Sequence, residues 1–228
     1  MTQQLRSATP NLHGRGDAYF GLAWPALEWL EQTLRPEMTT LETGSGASSI
    51  VFAAAGSAHT VISPAADEHD RIRSWCEENG ISTARVEFVA ASSDAALGSS
   101  WTPEPLDLVL VDGAHLFPFP VLDWFFTARH LRVGGRVVLD DAFLPSVNMV
   151  VRFLRLNPSW EFERALSYRT VCFRKFDEDV GYDATGHRFD RVPRFGYLPP
   201  AARAAAYARH LLIDRSPRIQ RALRRLRR

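Results

Sequence analysis

Residues 40–49 of this 228-residue chain read Thr-Leu-Glu-Thr-Gly-Ser-Gly-Ala-Ser-Ser and carry its clearest structural signal. An apolar run ends at Glu42, glycines follow at positions 44 and 46, and a segment suited to a helix comes next. Glycine lets the backbone turn sharply and leaves no side chain in the way, so a nucleotide-like ligand can lie against the main chain. The stretch therefore predicts a strand, a tight ligand-binding turn and a helix.

Two more apolar stretches end in carboxylates. Residues 106–115 read Leu-Asp-Leu-Val-Leu-Val-Asp-Gly-Ala-His, and residues 135–141 read Gly-Arg-Val-Val-Leu-Asp-Asp. Asp112, Asp140 and Asp141 thus follow directly on predicted strands. Because the carboxyl ends of parallel strands meet at one edge of a sheet, these strand ends predict one shared site.

Strand-like and helix-like segments alternate along most of the chain. We expect strands at 39–43, 59–63, 86–91, 106–111 and 136–139, and helices at 17–34, 47–55, 65–79, 122–131 and 147–156. Two further strands, at 160–166 and 170–176, are close enough to form an antiparallel hairpin. The pattern predicts an α/β fold with a doubly wound, mostly parallel seven-stranded sheet and an antiparallel edge strand.

Composition indicates a globular protein, with 46% hydrophobic and 23% charged residues. We expect an N-terminal helical segment at 1–36, one α/β domain at 37–177, and an irregular segment with a basic helical tail at 178–228. The apolar runs are too short to span a bilayer, and the N-terminus lacks a secretory signal pattern, so a cytoplasmic location is expected. Cys76 and Cys172 lack metal-ligand spacing and are expected to be buried or free thiols.

The net charge of +1 hides an asymmetry between the body and the tail. Residues 1–200 carry 18 basic and 25 acidic side chains, whereas residues 201–228 carry 9 basic and 1 acidic. The acidic body argues against a broad nucleic-acid surface on the α/β domain. The tail has an apolar stripe through Ile219, Ala222, Leu223 and Leu226, which suits an anionic membrane or an acidic partner. Packing on its own domain, or a solvated end, is the simpler alternative.

The ordered set of strand ends resembles the class I S-adenosylmethionine-dependent methyltransferases over residues 39–176. Glu42-Thr43-Gly44-Ser45-Gly46 looks like that family's first motif, where the backbone contacts the methionine part of the cofactor. Residues 111–115 and Asp140-Asp141 look like small-molecule O-methyltransferases, both the metal-dependent catechol type and the type that acts on antibiotic sugars. The resemblance implies a Rossmann-like methyltransferase fold, S-adenosylmethionine as cofactor and a small-molecule hydroxyl as methyl acceptor.

The resemblance also implies roles for individual residues. It places the cofactor against Glu42, Thr43, Gly44, Ser45, Gly46, Ser63, Ser92 and Asp112. Carboxylates at these strand ends hold a divalent metal in the metal-dependent relatives, which implies Mg²⁺ ligands at Asp112, Asp140 and Asp141. Magnesium prefers hard oxygen ligands and lowers the pKa of a coordinated hydroxyl. His115 is then suited to take the hydroxyl proton as general base, beside Asp112.

Each site residue also has a plainer explanation. Asp112 could cap the following loop, and His115 could pack at the sheet edge. Asp140-Asp141 could be a turn whose first member caps the helix from Leu144, and Ser92 and Ser93 could cap a helix before Asp94. The sequence alone leaves these alternatives open.

One position departs from the family's pattern. An acidic residue usually ends the second strand and binds both ribose hydroxyls, but Ser63 stands here, followed by Pro64. A serine hydroxyl cannot offer the two acceptor oxygens of a carboxylate. We therefore expect either that Asp67 or Glu68 reaches back to the ribose, or that the ribose is held more weakly.

Two other functions fit parts of the sequence. Residues 44–49 partly match a dinucleotide fingerprint, which favours an NAD(P)-dependent oxidoreductase, although Ser49 replaces the third glycine. A non-catalytic scaffold protein that acts through the basic tail is the other alternative. Residues 17–29 and 116–126 are expected to form the acceptor walls. The sequence identifies neither the acceptor nor the oligomeric state.

Overall fold

The computed structural model describes residues 1–8, 10–14, 21–98, 104–178 and 198–209. The chain divides into two compact units, Met1–Tyr182 and Asp183–Arg228. In chain order, the elements of the first unit are α1 (Thr2–Ser7), α2 (Trp24–Thr33), β1 (Thr39–Thr43), α3 (Ala47–Ala55), β2 (Ala58–Ile62), α4 (Ala66–Glu78), β3 (Val86–Val89), α5 (Ser93–Ala96), β4 (Leu106–Val111), α6 (Phe119–Ala128), β5 (Leu131–Leu139), α7 (Pro145–Leu156), β6 (Trp160–Ala165) and β7 (Val171–Lys175). In the second unit, α8 covers Pro200–Arg209.

The strands form a seven-stranded sheet in the order β3-β2-β1-β4-β5-β7-β6. Strands β1 to β5 pair in parallel, whereas β7 pairs antiparallel with both β5 and β6. The order reverses between β1 and β4, the place where doubly wound sheets open a crevice for ligands. The predicted fold class is confirmed.

Helices cover both faces of the sheet, as the two-sided burial of β4 requires. Leu108 and Leu110 pack in one cluster with α2, α3 and α4, and Val109 and Val111 pack in the other cluster with α6 and α7. Alternate residues of one strand thus enter opposite layers, as the two-residue repeat of a strand dictates.

The register of β7 brings the β6–β7 turn to the carboxyl end of β5. Val171 at the start of β7 pairs with Leu139 at the end of β5. Arg169 and Thr170 immediately precede β7, and Asp140 and Asp141 immediately follow β5. This antiparallel register therefore places the hairpin turn beside the two aspartates.

Several predicted boundaries are wrong for identifiable reasons. Strand β5 begins at Leu131 and not at 136 as predicted, so it includes Gly134, which takes φ +86°, and Gly135, where a Cβ would lie 2.9 Å from the carbonyl oxygen of Arg132. Glycine permits this irregular strand, which also shifts register opposite β4. Helix α6 begins earlier than expected, with Pro120 in its first turn.

The N-terminal region also differs from expectation. Helix α1 lies in the predicted helical segment 1–36 but was not predicted as a separate helix, and α2 begins only at Trp24, with Pro25 in its first turn. The amino group of Met1 and the hydroxyl of Thr2 both contact Glu31 on α2. Tertiary contacts therefore hold a helix too short to be stable alone. Residues 17–20 of the predicted helix lie outside the described residues.

Other expectations concern the cysteines, the membrane and the tail. Cys76 and Cys172 are buried free thiols, as predicted. Within the described ranges, the helices are all too short or too polar to cross a bilayer. The predicted tail helix from Ser216 lies outside the described residues, so its partners, like the cytoplasmic location, stay predictions.

Candidate active site

A cavity of about 430 Å³ opens at the carboxyl ends of β1, β2 and β4. Its size falls in the range of small-molecule and cofactor sites. The lining residues come from the ends of β1 and β2, the loops after β1 to β4, helices α3 to α6, and the N-terminal segment. They are His13, Gly21, Leu22, Thr43, Gly44, Ser45, Gly46, Ala47, Ser48, Ile62, Ser63, Pro64, Glu68, Ser92, Ser93, Asp112, Gly113, Ala114, His115 and Phe119. All the predicted cofactor residues except Glu42 therefore line one cavity.

Gly44 makes the turn after β1 possible. Its φ is +92°, and a Cβ there would collide with the carbonyl group of Asp112. The Gly44 N–H donates to the carbonyl of Ile62 at 2.9 Å, so the loops after β1, β2 and β4 meet at this residue. Gly46 is different, since a Cβ there would only approach His13 at 3.7 Å. The backbone requires glycine at position 44, and the open space at position 46 faces the cavity.

Glu42 lies beneath this turn and is 1% exposed. Its Oε1 accepts a hydrogen bond from Ser49, and Ser49 Oγ in turn accepts one from the N–H of Gly46 at 3.1 Å. Glu42 Oε2 accepts no hydrogen bond from the described residues. Glu42 therefore supports the turn from below.

Of the two acidic residues that follow Ser63 in α4, Glu68 lines the cavity and Asp67 does not. Asp67 points to solvent and pairs with Arg71 at 2.8 Å, whereas Glu68 lines the cavity. Glu68 Oε2 accepts a hydrogen bond from Ser45 at 2.7 Å, and its Oε1 lies 3.0 Å from His13 Nδ1. Of the two acidic candidates, Glu68, in the first turn of α4, is the one that lines the cavity, and its contact with a ribose stays a prediction.

Ser92 is the residue before α5, and its side chain makes no capping hydrogen bond. Ser92 and Ser93 both line the cavity. The geometry thus favours a ligand contact over the capping alternative, while the contact of Ser92 with the cofactor stays a prediction.

His115 lies between two of the predicted carboxylates. Its Nε2 is 3.6 Å from Asp112 Oδ1, and its Nδ1 is 3.5 Å from Asp141 Oδ2. These distances are long for hydrogen bonds but short enough for strong electrostatic interaction. Ser146 at the start of α7 donates to the His115 carbonyl and fixes the loop. His115 thus contacts charged groups instead of merely packing at the sheet edge.

The charges in this cluster change one another's pKa. Burial raises the pKa of Asp112 to about 7, and the negative charge of Asp140 adds to that rise. Interaction with the Asp112 carboxylate raises the pKa of His115 above its usual 6.5. Shifted values in a cavity are typical of groups that handle protons.

Asp140 and Asp141 lie outside the cavity lining, at the end of β5. The proposed cap on the next helix is wrong, because α7 begins at Pro145, Leu144 occupies the cap position, and no side chain caps it. Asp140 is fully buried and accepts a hydrogen bond from Thr170 at 2.5 Å. Asp141 takes φ +49°, a left-handed conformation that Asp tolerates better than most residues.

Arg169 is the principal residue that the sequence reasoning missed. Its Nη2 lies 2.8 Å from Asp140 Oδ2, and its Nη1 lies 3.5 Å from Asp141 Oδ1. The sequence pattern predicts only a hairpin turn at this position. The signal that could have found it is the pairing of β7 with β5, which brings the turn to the two aspartates.

The residues present do not fit a magnesium ion as they are arranged. Asp140 Oδ1 accepts a hydrogen bond from Thr170, and Asp140 Oδ2 forms an ion pair with Arg169 at 2.8 Å but accepts no hydrogen bond from the described residues. A search of the described residues finds no group of three or more His, Cys, Asp or Glu side chains arranged to hold a metal. The predicted ligand set of Asp112, Asp140 and Asp141 is therefore not assembled around a common point.

Comparison with known proteins supplies independent evidence. A family model described as "Methyltransferase domain" matches residues 41–142. The search of curated protein sequences gave no match.

Solved structures share the fold at low sequence identity. An O-methyltransferase from Streptomyces achromogenes, TomG, involved in tomaymycin synthesis and solved with S-adenosylmethionine, has a TM-score of 0.57 at 22% identity over 69% of this chain and 82% of its own. An O-methyltransferase from Bacillus cereus, solved with S-adenosylhomocysteine, has a TM-score of 0.61 at 15% identity over 77% and 89%. Cofactor-bound Rv0187 from MTB has a TM-score of 0.60 at 16% identity over 71% and 84%.

The domain match covers β1 to the end of β5, which includes the turn at Gly44 and the strand ends that carry Asp112 and Asp140. The sheet order and the antiparallel β7 complete the same fold. Residues 41–142 thus match a methyltransferase domain, and the described part of the chain has the fold of O-methyltransferases solved with S-adenosylmethionine or S-adenosylhomocysteine.

Proposed function

We propose that this protein transfers a methyl group from S-adenosylmethionine to a hydroxyl group of a small molecule. The observation that carries the proposal is the position of His115, which lines the cofactor cavity and lies 3.6 Å from Asp112. A hydroxyl is a weak nucleophile until its proton is removed, and this pair supplies a base. The O-methyltransferases among the structural neighbours support the same choice of acceptor atom.

The cavity fits the cofactor on its own geometry. The backbone at Gly44 leaves room where a Cβ would be, and Glu68 offers carboxylate oxygens near Ser63. When bound, S-adenosylmethionine supplies a methyl group on a positively charged sulfur, so a bond from the acceptor oxygen to that carbon forms while the carbon–sulfur bond breaks and its electron pair stays on sulfur.

The chain's own residues move the proton and position the acceptor. The acceptor's proton passes to the His115–Asp112 pair, whose facing atoms, Nε2 and Oδ1, lie 3.6 Å apart. Asp141, 3.5 Å from Nδ1, holds the imidazole from its other side. Alignment within the cavity supplies most of the remaining rate enhancement.

Apolar side chains flank this proton-transfer pair. Leu116 and Phe117 follow it in the loop before α6 and are 76% and 66% exposed. Phe143 after β5 stacks on Tyr168 in the β6–β7 turn, with ring centroids 6.4 Å apart. These exposed apolar groups suit an acceptor with an aromatic or other apolar body.

Magnesium assistance is not part of the proposal, because the carboxylates do not fit the ion as they are placed. The oxidoreductase alternative is disfavoured by the methyltransferase match over residues 41–142. The scaffold alternative depends on the tail beyond Arg209, which lies outside the described residues.

The test combines calorimetry with product detection. We expect S-adenosylmethionine and S-adenosylhomocysteine to bind with micromolar dissociation constants. A panel of phenolic, catecholic and sugar hydroxyl compounds is then incubated with the cofactor and the protein. We expect the mass of one class of compound to increase by the replacement of a hydrogen atom with a methyl group. Absence of binding by both cofactor forms would contradict the proposal, as would methylation of nitrogen acceptors alone.

A further inference from the structure

Arg169 brings a fixed positive charge into the carboxylate cluster. Its Nη2 lies 2.8 Å from Asp140 Oδ2 and also donates to the Gly21 carbonyl at 2.7 Å. Its Nη1 lies 3.5 Å from Asp141 Oδ1. The guanidinium therefore contacts the end of β5 and the N-terminal segment at the same time.

Asp140 depends on this contact. The Asp140 side chain is fully buried, and the Arg169 side chain is only 21% exposed. A buried carboxylate without a compensating charge is strongly unfavourable, so some cation is required here. Among the described residues, Arg169 and the hydroxyl of Thr170 are the groups that meet the Asp140 oxygens.

The position of Arg169 is set by the backbone, not by a chance side-chain conformation. The Arg169 carbonyl accepts a hydrogen bond from the Ala142 N–H at 2.8 Å, directly after the two aspartates. The pairing of Val171 with Leu139 continues this link into the sheet. The turn and the loop after β5 are thus joined, and the guanidinium is presented to Asp140 and Asp141.

We propose that Arg169 takes the place of a divalent metal in this site. Its guanidinium neutralises Asp140 and Asp141, and it leaves Asp112 and His115 to take the acceptor's proton. Arg169 is a positioning residue, because it acts through the aspartates and not on the reacting atoms. The inference rests on the proposed methyl transfer, but it concerns only how the carboxylates are neutralised.

The proposal predicts a competition between Arg169 and a metal ion for the same oxygens. Wild-type protein is expected to bind no Mn²⁺ at this cluster, because Arg169 engages Asp140 and Asp141. Arg169→Ala frees both carboxylates and is expected to gain about one Mn²⁺ per chain. Arg169→Lys keeps a positive charge at the turn and is expected to remain free of Mn²⁺.

Electron paramagnetic resonance measures this directly, since the signal of free Mn²⁺ falls when the ion binds. The titration compares wild type, Arg169→Ala, Arg169→Lys, Asp141→Asn and the Arg169→Ala/Asp141→Asn double variant. The control is Arg132→Ala, because Arg132 pairs with Asp107 at 2.8 Å at the opposite edge of the sheet. Mn²⁺ near saturation is expected to raise the melting temperature of Arg169→Ala by about 5–10 °C and to leave wild type unchanged.

Two results would overturn the proposal. One is a wild-type protein that binds Mn²⁺ and loses it in Asp141→Asn, a comparison that holds even if Arg169→Ala does not fold. The other is a folded Arg169→Ala that gains no Mn²⁺. Calorimetry with S-adenosylhomocysteine on the same samples separates the two proposals, because failure of wild type to bind it counts against methyl transfer and not against the role of Arg169.

Discussion

His59 on β2 lies against Glu42 on β1, with Nε2 3.3 Å from Oε1 and both side chains almost completely buried. His59 Nδ1 is 2.8 Å from the hydroxyl of Thr40, and Glu42 accepts a hydrogen bond from Ser49. A chain of polar contacts therefore runs from the interior of the sheet to the cofactor turn at Gly46. The sheet interior thus helps to fix the turn.

We expect His59→Leu to lower the free energy of unfolding by about 2–5 kcal/mol, because Glu42 would lose its partner while remaining buried. The affinity for S-adenosylhomocysteine should fall as well. Urea unfolding and calorimetry measure the two effects. His69→Leu is the control, since His69 is also buried but lies on α4 against Phe88; an equal loss in both variants would show that the contact with Glu42 is unimportant.

Gly44→Ala is expected to weaken cofactor binding by a factor of about 10 or more and to destabilise the fold by about 1–3 kcal/mol. The added Cβ would meet the backbone of Asp112, and the φ of +92° is strained for alanine. Calorimetry and thermal unfolding provide the measurements. Gly98→Ala is the matched control, because the nearest atom to a Cβ there is 3.7 Å away. Unchanged binding in Gly44→Ala would contradict the assigned turn.

Asp112 makes the stability of the cofactor-free protein depend on pH. Its pKa rises from about 3.9 when unfolded to about 7 in the folded state, so its contribution is present below about pH 4 and is lost as the pH rises through 7. The pKa of His115 is also raised, and its contribution is likewise lost with rising pH. We expect the free energy of unfolding to fall by about 1 kcal/mol or more between about pH 6 and pH 8.

Urea unfolding at a series of pH values tests this dependence. Asp112→Asn removes the carboxyl group and should flatten most of the slope, while Asp107→Asn, at the amino end of β4, should keep it. A wild-type protein that gains stability over the same interval would show that Asp112 is ionised throughout.

His115→Gln is expected to lower kcat for methylation by a factor of about 10²–10⁴, with little change in cofactor affinity. The kcat of wild type should rise with pH as His115 loses its proton, above the usual pKa of 6.5 because Asp112 raises it. In Asp112→Asn this rise should move to lower pH. Steady-state kinetics across pH measures both effects, and His130→Gln, at the amino end of β5, is the control. A His115→Gln enzyme with full activity would exclude it as the base.

The cavity residues that follow β1 and β4 were predicted from the sequence, whereas Arg169 and His13 were not. β1 and α3 have the predicted bounds because Gly44 and Gly46 mark the junction locally. Asp112 and His115 lie together because they are three residues apart after one strand. Each of these features is determined by a few consecutive residues, so the sequence alone predicts it.

The contacts of Arg169 and His13 could not be predicted from the sequence, because each depends on residues that are far apart in the chain. Arg169 reaches Asp140 only through the register of β7 on β5, and His13 meets Glu68 only after the N-terminal segment reaches α4. Helix α1 was missed for the same reason, since Glu31 holds it. No short sequence window contains both members of these contacts.

Because β7 lies between β5 and β6, the β6–β7 turn and the cavity are formed by different strands of one sheet. The loops after the parallel strands β1, β2 and β4 line the cavity, while the β6–β7 turn brings Arg169 and Tyr168 to the carboxyl end of β5. Under the proposed function, changes in the length or charge of residues 167–170 are expected to alter acceptor specificity and to leave the turn at Gly44 intact. A new methylation specificity could evolve, or be selected from a library, within a single hairpin turn.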